Sequence, residues 1–228
     1  MENDVKEFLS ELLKQLKSID YIKPEDIPNI DLYMDQVTTF MDEQLAASKR
    51  YESDKILTKT MINNYAKNNL LPSPDKKKYS KEHVLTLLFI YYFKNILSIN
   101  DIRSILNPLT EKYFGNDDGF TMQDVYTEVF SLEAEESQKL LKDLGKKYKI
   151  AGETFEDFPD EDQKFLHTFS FICMLSFDVY IKKMLIERMI DDLNEEKEAS
   201  KKQAQINEPV FLFPYDKLIL FVRAILHA

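Results

Sequence analysis

The apolar run VLTLLFIYYF, residues 84–93, constrains the fold more than any other feature of the sequence. Ser80 precedes this run as a favourable helix N-cap, and Glu82 lies in the first turn, where a carboxylate interacts favourably with the positive end of the helix dipole. A helix that is apolar on all its faces is stable only when protein surrounds most of it. The run therefore predicts a central buried helix with other elements packed around it.

Composition indicates that these other elements are also helices. The chain of 228 residues has only 4 glycines and 8 prolines, which are too few for the many tight turns of a β-sandwich or barrel. The strong helix formers Leu, Lys, Glu, Ile and Met are abundant instead. We predict a mainly α fold in which a small wing is the only β structure.

Two helices are predicted before the central one. Asp31 is expected to cap a helix that continues to about Ala46, and Thr58 is expected to cap a shorter helix. The shorter helix is expected to end at Asn68 and Asn69, because asparagine tolerates the left-handed backbone conformation of a C-terminal cap.

A wing and a further short helix complete this region. Two prolines in LLPSPDKKKYS, residues 70–80, favour extended backbone, so this segment predicts a small hairpin or wing. After the central helix, Ser98 is expected to cap another short helix, which Asn107 and Pro108 end. The resulting order is short helix, wing, buried helix, short helix.

The charge of the chain is distributed unevenly. The formal net charge is −10, which alone disfavours nucleic acid as a partner because phosphate requires positive potential. Residues 55–106, however, contain nine basic and three acidic side chains, a net charge of +6, which leaves −16 for the rest of the chain. This asymmetry indicates a small basic head on an acidic body.

The basic segment predicts a surface that contacts DNA. In a helix-turn-helix, the second helix presents a polar face to the major groove, where asparagine pairs with adenine edges and lysine binds phosphates. The wing lysines are expected to contact flanking phosphates, and Tyr65 and Tyr79 to pack the wing against the helix. The predicted DNA-binding residues are Thr58, Lys59, Thr60, Asn63, Asn64, Lys67, Lys76, Lys77, Lys78 and Tyr79.

Three strings in this region resemble the winged helix of MerR-type regulators: TKTMINNYAKNNLLPSP from residue 58, KYSKEHVLTLLFI from residue 78 and LSINDIRSIL from residue 97. Residues 27–106, which open with IPNIDLYMDQVTTF, are similar to a family from Gram-positive bacteria, the domain of unknown function 1836. The resemblance implies a MerR-like winged helix-turn-helix in a transcriptional regulator, and no established chemistry.

The predicted domain organisation has three parts. They are an N-terminal amphipathic helix and connector (1–30), a MerR-like winged helix-turn-helix domain (31–108) and a C-terminal helical domain for dimerisation or effector sensing (109–228). The last part is expected to contain a long helix (160–194), a charged mobile run (195–205) and a final buried helix from about Pro214. Cys173, the only cysteine, is expected to be a small buried side chain of the long helix.

The leading hypothesis is a cytoplasmic, sequence-specific DNA-binding transcriptional regulator that represses by occupying its site. A homodimer on double-stranded DNA is expected, because one short helix and wing provide too little contact for specific binding. Aromatic and methionine side chains around residues 165–190 either line a pocket for a small-molecule effector or form ordinary core. The alternative function is an acidic helical adaptor that binds protein and no DNA.

Other functional classes are not indicated by the sequence. It contains no catalytic set, no metal-ligand spacing and no cofactor fingerprint, so neither an enzyme nor a cofactor is predicted. No apolar run reaches the roughly 18–20 residues that span a bilayer, so no membrane partner is predicted.

Overall fold

The computed structural model describes residues 22–116 and 119–205, together with the isolated positions 7, 10, 11 and 14. In chain order the elements are β1 (Leu32–Tyr33), α1 (Met34–Gln44), α2 (Lys59–Lys67), β2 (Lys78–Tyr79), α3 (Lys81–Phe93), α4 (Ile99–Tyr113), α5 (Met122–Ser131), α6 (Glu133–Gly152) and α7 (Asp160–Gln205). The mainly α fold is thus confirmed. Apart from those isolated positions, the predicted N-terminal amphipathic helix lies outside the described residues, as does the predicted final helix from about Pro214.

The chain divides into two compact units, Met1–Glu187 and Arg188–Ala228. Within the first unit, α3 is the centre of the core. Every residue from 83 to 91 is buried, and α4, α5 and β2 all pack against this helix. The prediction of a central helix surrounded by protein is confirmed.

Helix α5 closes one side of the core through its aromatic side chains. The ring centroid of Tyr126 lies 4.4 Å from that of Phe130 and 5.4 Å from that of Phe89 on α3. The buried hydroxyl of Tyr126 donates a hydrogen bond to the carbonyl of Ile22 at 2.9 Å, and Ile22 is itself buried. The hydrophobic core therefore includes residues on both sides of the predicted 31–108 segment.

The two-residue strand β1 directly precedes α1 and pairs with β2. In the antiparallel pair, Leu32 lies opposite Tyr79 and Tyr33 opposite Lys78. The prediction that Asp31 caps the first helix is wrong, because pairing keeps residues 32 and 33 extended. Helix α1 begins at Met34 instead, and the N–H of Tyr33 donates to Oε1 of Gln36 at 2.8 Å.

Helix α4 continues through Pro108 to Tyr113, so the prediction that Asn107 and Pro108 end this helix is wrong. A proline inside a helix destabilises it by about 3 kcal/mol. Ile102 and Leu106 are both buried, and burial of such side chains stabilises by about 1.5–3 kcal/mol each. Packing of α4 against α3 and α5 therefore outweighs the local penalty.

Helix α7 corrects two further predictions. It extends to Gln205, so the run 195–205 is helical, which accords with the high helix propensity of its Glu, Lys, Ala and Gln residues. Cys173 is exposed, whereas Phe171 and Asp178 contact α6. Since a helix turns by about 100° per residue, Cys173 lies on a different face from these two contacts.

Candidate nucleic-acid interface

Both ends of α2 are fixed by local capping. At the N-terminus, Oγ1 of Thr58 accepts a hydrogen bond from the N–H of Met61 at 3.2 Å. At the C-terminus, Asn69 has a φ of 55°, and the N–H of Leu70 donates to the carbonyl of Tyr65 at 2.9 Å. This is a left-handed helix cap, so both predicted caps are confirmed.

The inner face of α2 is apolar and its outer face is polar. Ile62 and Tyr65 are buried, and burial raises the pKa of the Tyr65 hydroxyl. These two anchors orient the rest of the helix outward. The predicted contact residues of α2 that are exposed are Lys59, Thr60, Asn63, Asn64 and Lys67.

Two of the predicted contacts at the start of α2 have partners within the protein. The hydroxyl oxygen of Thr58 serves as the helix cap, and Nζ of Lys59 forms an ion pair with Asp35 of α1. Both partners of the ion pair are exposed, so it contributes little to stability. It does neutralise part of the positive charge at this end of the helix.

A tight turn leads into β2 and takes the place of the predicted wing hairpin. The N–H of Lys78 donates to the carbonyl of Asp75 at 2.7 Å, and the two central residues, Lys76 and Lys77, have φ values of 46° and 68°. Two central residues with positive φ define a type I′ turn, in which Asn-Gly is the favoured pair. The left-handed conformation costs about 1–2 kcal/mol for a residue with a side chain, so two lysines are unfavourable here.

The three wing lysines are exposed, but Tyr79 is not. Lys76, Lys77 and Lys78 all reach solvent, whereas Tyr79 is only 3% exposed and burial raises the pKa of its hydroxyl. Its inclusion among the DNA contacts is therefore corrected, because its side chain lies in the core under the turn. Tyr65 and Tyr79 are both buried, and their packing of the wing against the helix stays a prediction.

Tyr33 was not among the contact residues predicted from the sequence. This residue is exposed and lies opposite Lys78 in the strand pair, with Nζ of Lys78 5.5 Å from the centroid of the tyrosine ring. A strand of two residues has no periodicity, so only the observed register brings Tyr33 beside the wing lysines.

Lys94, which contributes to the predicted charge of +6, has a structural role. Its Nζ donates a hydrogen bond to the carbonyl of Ile56 at 2.6 Å and lies 4.8 Å from the ring centroid of Tyr91. Burial lowers the pKa of Lys94. This side chain ties the segment that leads into α2 to the end of α3, so it positions α2.

His83 fixes the start of α3 directly after the wing. Its Nδ1 accepts a hydrogen bond from the N–H of Ser80 at 3.0 Å, which places the ring proton of the neutral form on Nε2. The ring lies between Tyr79 and Phe114, at centroid distances of 5.5 and 4.7 Å. Burial lowers the pKa of His83, an effect that the carbonyl of Ser73 and the charge of Asp31 partly oppose.

This environment predicts a loss of stability in mild acid. An unfolded histidine has a pKa of about 6.5 and the folded pKa is lower, so the contribution of neutral His83 is complete above about 6.5 and is lost as the pH falls towards the folded pKa. We expect the free energy of unfolding, measured with urea at several pH values, to fall more steeply for the natural chain than for His83→Gln. Glutamine keeps an acceptor for Ser80 but does not titrate. Equal pH dependence in the two proteins would contradict this role.

A cleft beside α2 differs from a typical small-molecule site. An open cleft of about 410 Å³ between α1 and the start of α2 is lined by side chains of both charge signs, among them Asp42, Lys55 and Lys59, unlike the enclosed apolar pockets that bind most small ligands. Within residues 22–116 and 119–205, no His, Cys, Asp and Glu side chains are grouped to hold a metal ion. In the same part of the chain, no helix combines the length and apolar character needed to cross a membrane.

The fold is thus a small helical domain built around α3, with one exposed polar helix and a lysine-rich turn. Residues 22–129, just under half of the chain, match the family model described as Domain of unknown function (DUF1836). The match confirms the resemblance to that family. It begins at Ile22 and includes most of α5, in agreement with the extent of the hydrophobic core. No curated protein and no solved structure matches the chain.

Proposed function

We propose that the DUF1836 domain is a MerR-like winged helix-turn-helix that binds double-stranded DNA, and that the protein is a transcriptional repressor. Helices α1 and α2 form the helix pair, α2 enters the major groove, and the turn 75–78 contacts the flanking backbone. The proposed contacts are Lys59, Thr60, Asn63, Asn64, Lys67, Lys76, Lys77 and Lys78.

The observation that carries this proposal is the pair of lysines in the left-handed region. Lys76 and Lys77 occupy the two positions of a type I′ turn at which side chains are disfavoured. Backbone strain of this kind persists at functional sites, where a particular side chain is needed. Lys78, exposed beside them, makes a cluster of three positive charges, which suits phosphate oxygens.

The outer face of α2 suits recognition of bases. Asn63 and Asn64 are exposed and flanked by Thr60 and Lys67. An asparagine side chain in the major groove donates and accepts one hydrogen bond each with adenine, and such a pair contributes about 1–3 kcal/mol of discrimination. In this proposal the asparagines select the sequence, and the lysines supply affinity that is independent of sequence.

A homodimer is proposed because a nine-residue helix and a single turn offer only one half-site of contact. Occupancy of an operator by two copies is sufficient for repression and requires no further chemistry. The competing function, an acidic adaptor that binds protein, is favoured by the net charge of −10 and by the ion pair that partly neutralises Lys59.

Substitution of the two asparagines tests sequence recognition. With a fluorescent duplex that carries the promoter region of the protein's own gene, we expect Asn63→Ala with Asn64→Ala to weaken binding by roughly tenfold or more, because each good base contact is worth about 1–3 kcal/mol. Binding to a scrambled duplex should be unchanged. Asn100→Ala, an exposed asparagine on α4, is the matched control. Equal losses on both duplexes would contradict base recognition by α2, and retained binding on both would exclude α2 from the interface.

A further inference from the structure

The part of helix α7 that belongs to the first unit, residues 160–187, is apolar on two opposite sides. One side packs against α6: the ring of Phe171 lies 5.4 Å from that of Tyr148, and Asp178 pairs with Lys147. The other side, which we call the outer face, carries five apolar side chains that are 51–70% exposed. These are Phe165, Phe169, Ile172, Val179 and Tyr180.

The outer face is a continuous stripe. At about 100° per residue its five members fall within a sector of roughly 100°, and at 1.5 Å per residue they extend over roughly 22 Å. In the described part of the chain, nothing covers it. An exposed apolar stripe of this length marks an interaction surface.

The size of the stripe suits a second copy of the same surface. Aromatic side chains bury about 150–250 Å² each when fully covered, so the exposed parts of these five side chains offer roughly 500 Å² per copy. Two copies together bury roughly 1,000 Å², which reaches the lower limit for a specific interface.

Charges at the two ends of the stripe determine the direction of pairing. Glu161 and Asp162 precede Phe165, and Lys182 and Lys183 follow Tyr180. In a parallel pair, like charges would face each other at both ends. In an antiparallel pair centred at residues 172–173, Asp162 faces Lys183 of the second copy and Phe165 faces Tyr180. Lys183 already pairs with Glu187 of its own helix, and both are partly exposed.

We propose that a second copy of this chain covers the outer face of α7, and that the two helices run antiparallel about a twofold axis near Ile172 and Cys173. The inference rests on the proposed function for its expectation of two copies, and it names the surface that joins them. That surface contains none of the proposed DNA contacts.

The oligomeric state of the full chain, measured by sedimentation without DNA, tests the surface. We expect a dimer at micromolar concentration, and a monomer for Phe165→Glu with Phe169→Glu. Phe120→Glu is the matched control, because Phe120 is equally exposed but lies before α5, and it should remain dimeric. A monomeric natural chain would overturn the proposal. A dimer that persists in the double variant would overturn it as well.

Charge exchange tests the antiparallel register without depending on the apolar side chains. Asp162→Lys alone and Lys183→Glu alone should each weaken the dimer, and the combination should restore most of the affinity between the two copies. If the combined variant did not regain affinity between its two copies, the antiparallel register would be overturned. Cys173 is exposed and lies close to the proposed axis. A short bismaleimide should therefore join two copies of the natural chain covalently at Cys173. If no covalent dimer formed, the axis would not lie at this position.

The test of the dimer surface and the test of DNA binding can fail independently of each other. A dimer that binds no DNA would leave this inference intact and remove the proposed function. A monomer that binds the promoter duplex would do the reverse.

Discussion

Tyr126→Ala is expected to lower the free energy of unfolding by about 3–5 kcal/mol, the usual loss when a large buried aromatic side chain is removed. Tyr126 is fully buried, lies between Phe89 and Phe130 and donates to the carbonyl of Ile22. The variant removes this packing and leaves a buried carbonyl without its donor, which adds to the loss.

Urea unfolding of the full chain measures this effect. Tyr51→Ala is the matched control, since Tyr51 is 59% exposed and surface substitutions usually change stability by about 0.5 kcal/mol or less. Tyr126→Phe keeps the ring and should lose about 1–3 kcal/mol, because it leaves the buried carbonyl of Ile22 without its donor. If Tyr126→Ala behaved like Tyr51→Ala, helix α5 would not belong to the core that surrounds α3.

The second large effect concerns the wing. Lys76→Asn combined with Lys77→Gly is expected to stabilise the fold and to weaken DNA binding at the same time. Asparagine and glycine are the favoured residues at the two central positions of a type I′ turn, so relief of the left-handed lysines should add about 1–2 kcal/mol to the free energy of unfolding. The same change removes two phosphate-binding side chains from each copy, and we expect at least roughly a tenfold loss of affinity.

Opposite changes in stability and affinity cannot result from misfolding. The matched control is Lys142→Gln with Lys146→Gln, which removes two exposed lysines from α6 and should change the affinity little. A stabilised variant that binds DNA as well as the natural chain would exclude the turn from the interface. An equal loss in the α6 control would indicate an effect of net charge alone.

Features governed by neighbouring residues were predictable from the sequence. The caps at Thr58 and Ser98 depend on side chains that bond to the backbone three residues on, and this spacing is visible in the sequence. The left-handed cap at Asn69 is equally local. The central burial of α3 followed from its composition alone, because apolar side chains occupy nearly every position around this helix.

Features governed by distant contacts were not predictable. The pairing of β1 with β2 joins residues far apart in the chain, and it places Tyr33 beside Lys78. The continuation of α4 through Pro108 depends on packing against α3 and α5. The exposure of Cys173 depends on which side of an apolar helix meets α6, and the sequence of α7 is apolar on both sides.

The salt dependence of DNA binding tests the central claim most directly. We expect the logarithm of the association constant of the full chain for its promoter duplex to fall linearly with the logarithm of salt concentration, with a slope of about −0.9 for each phosphate that a lysine neutralises. Lys76→Asn with Lys77→Gly should make the slope shallower by about one for each lysine that the variant removes from a phosphate. Identical slopes, or no binding at low salt to that duplex or to pooled genomic fragments, would contradict the account and favour an acidic adaptor.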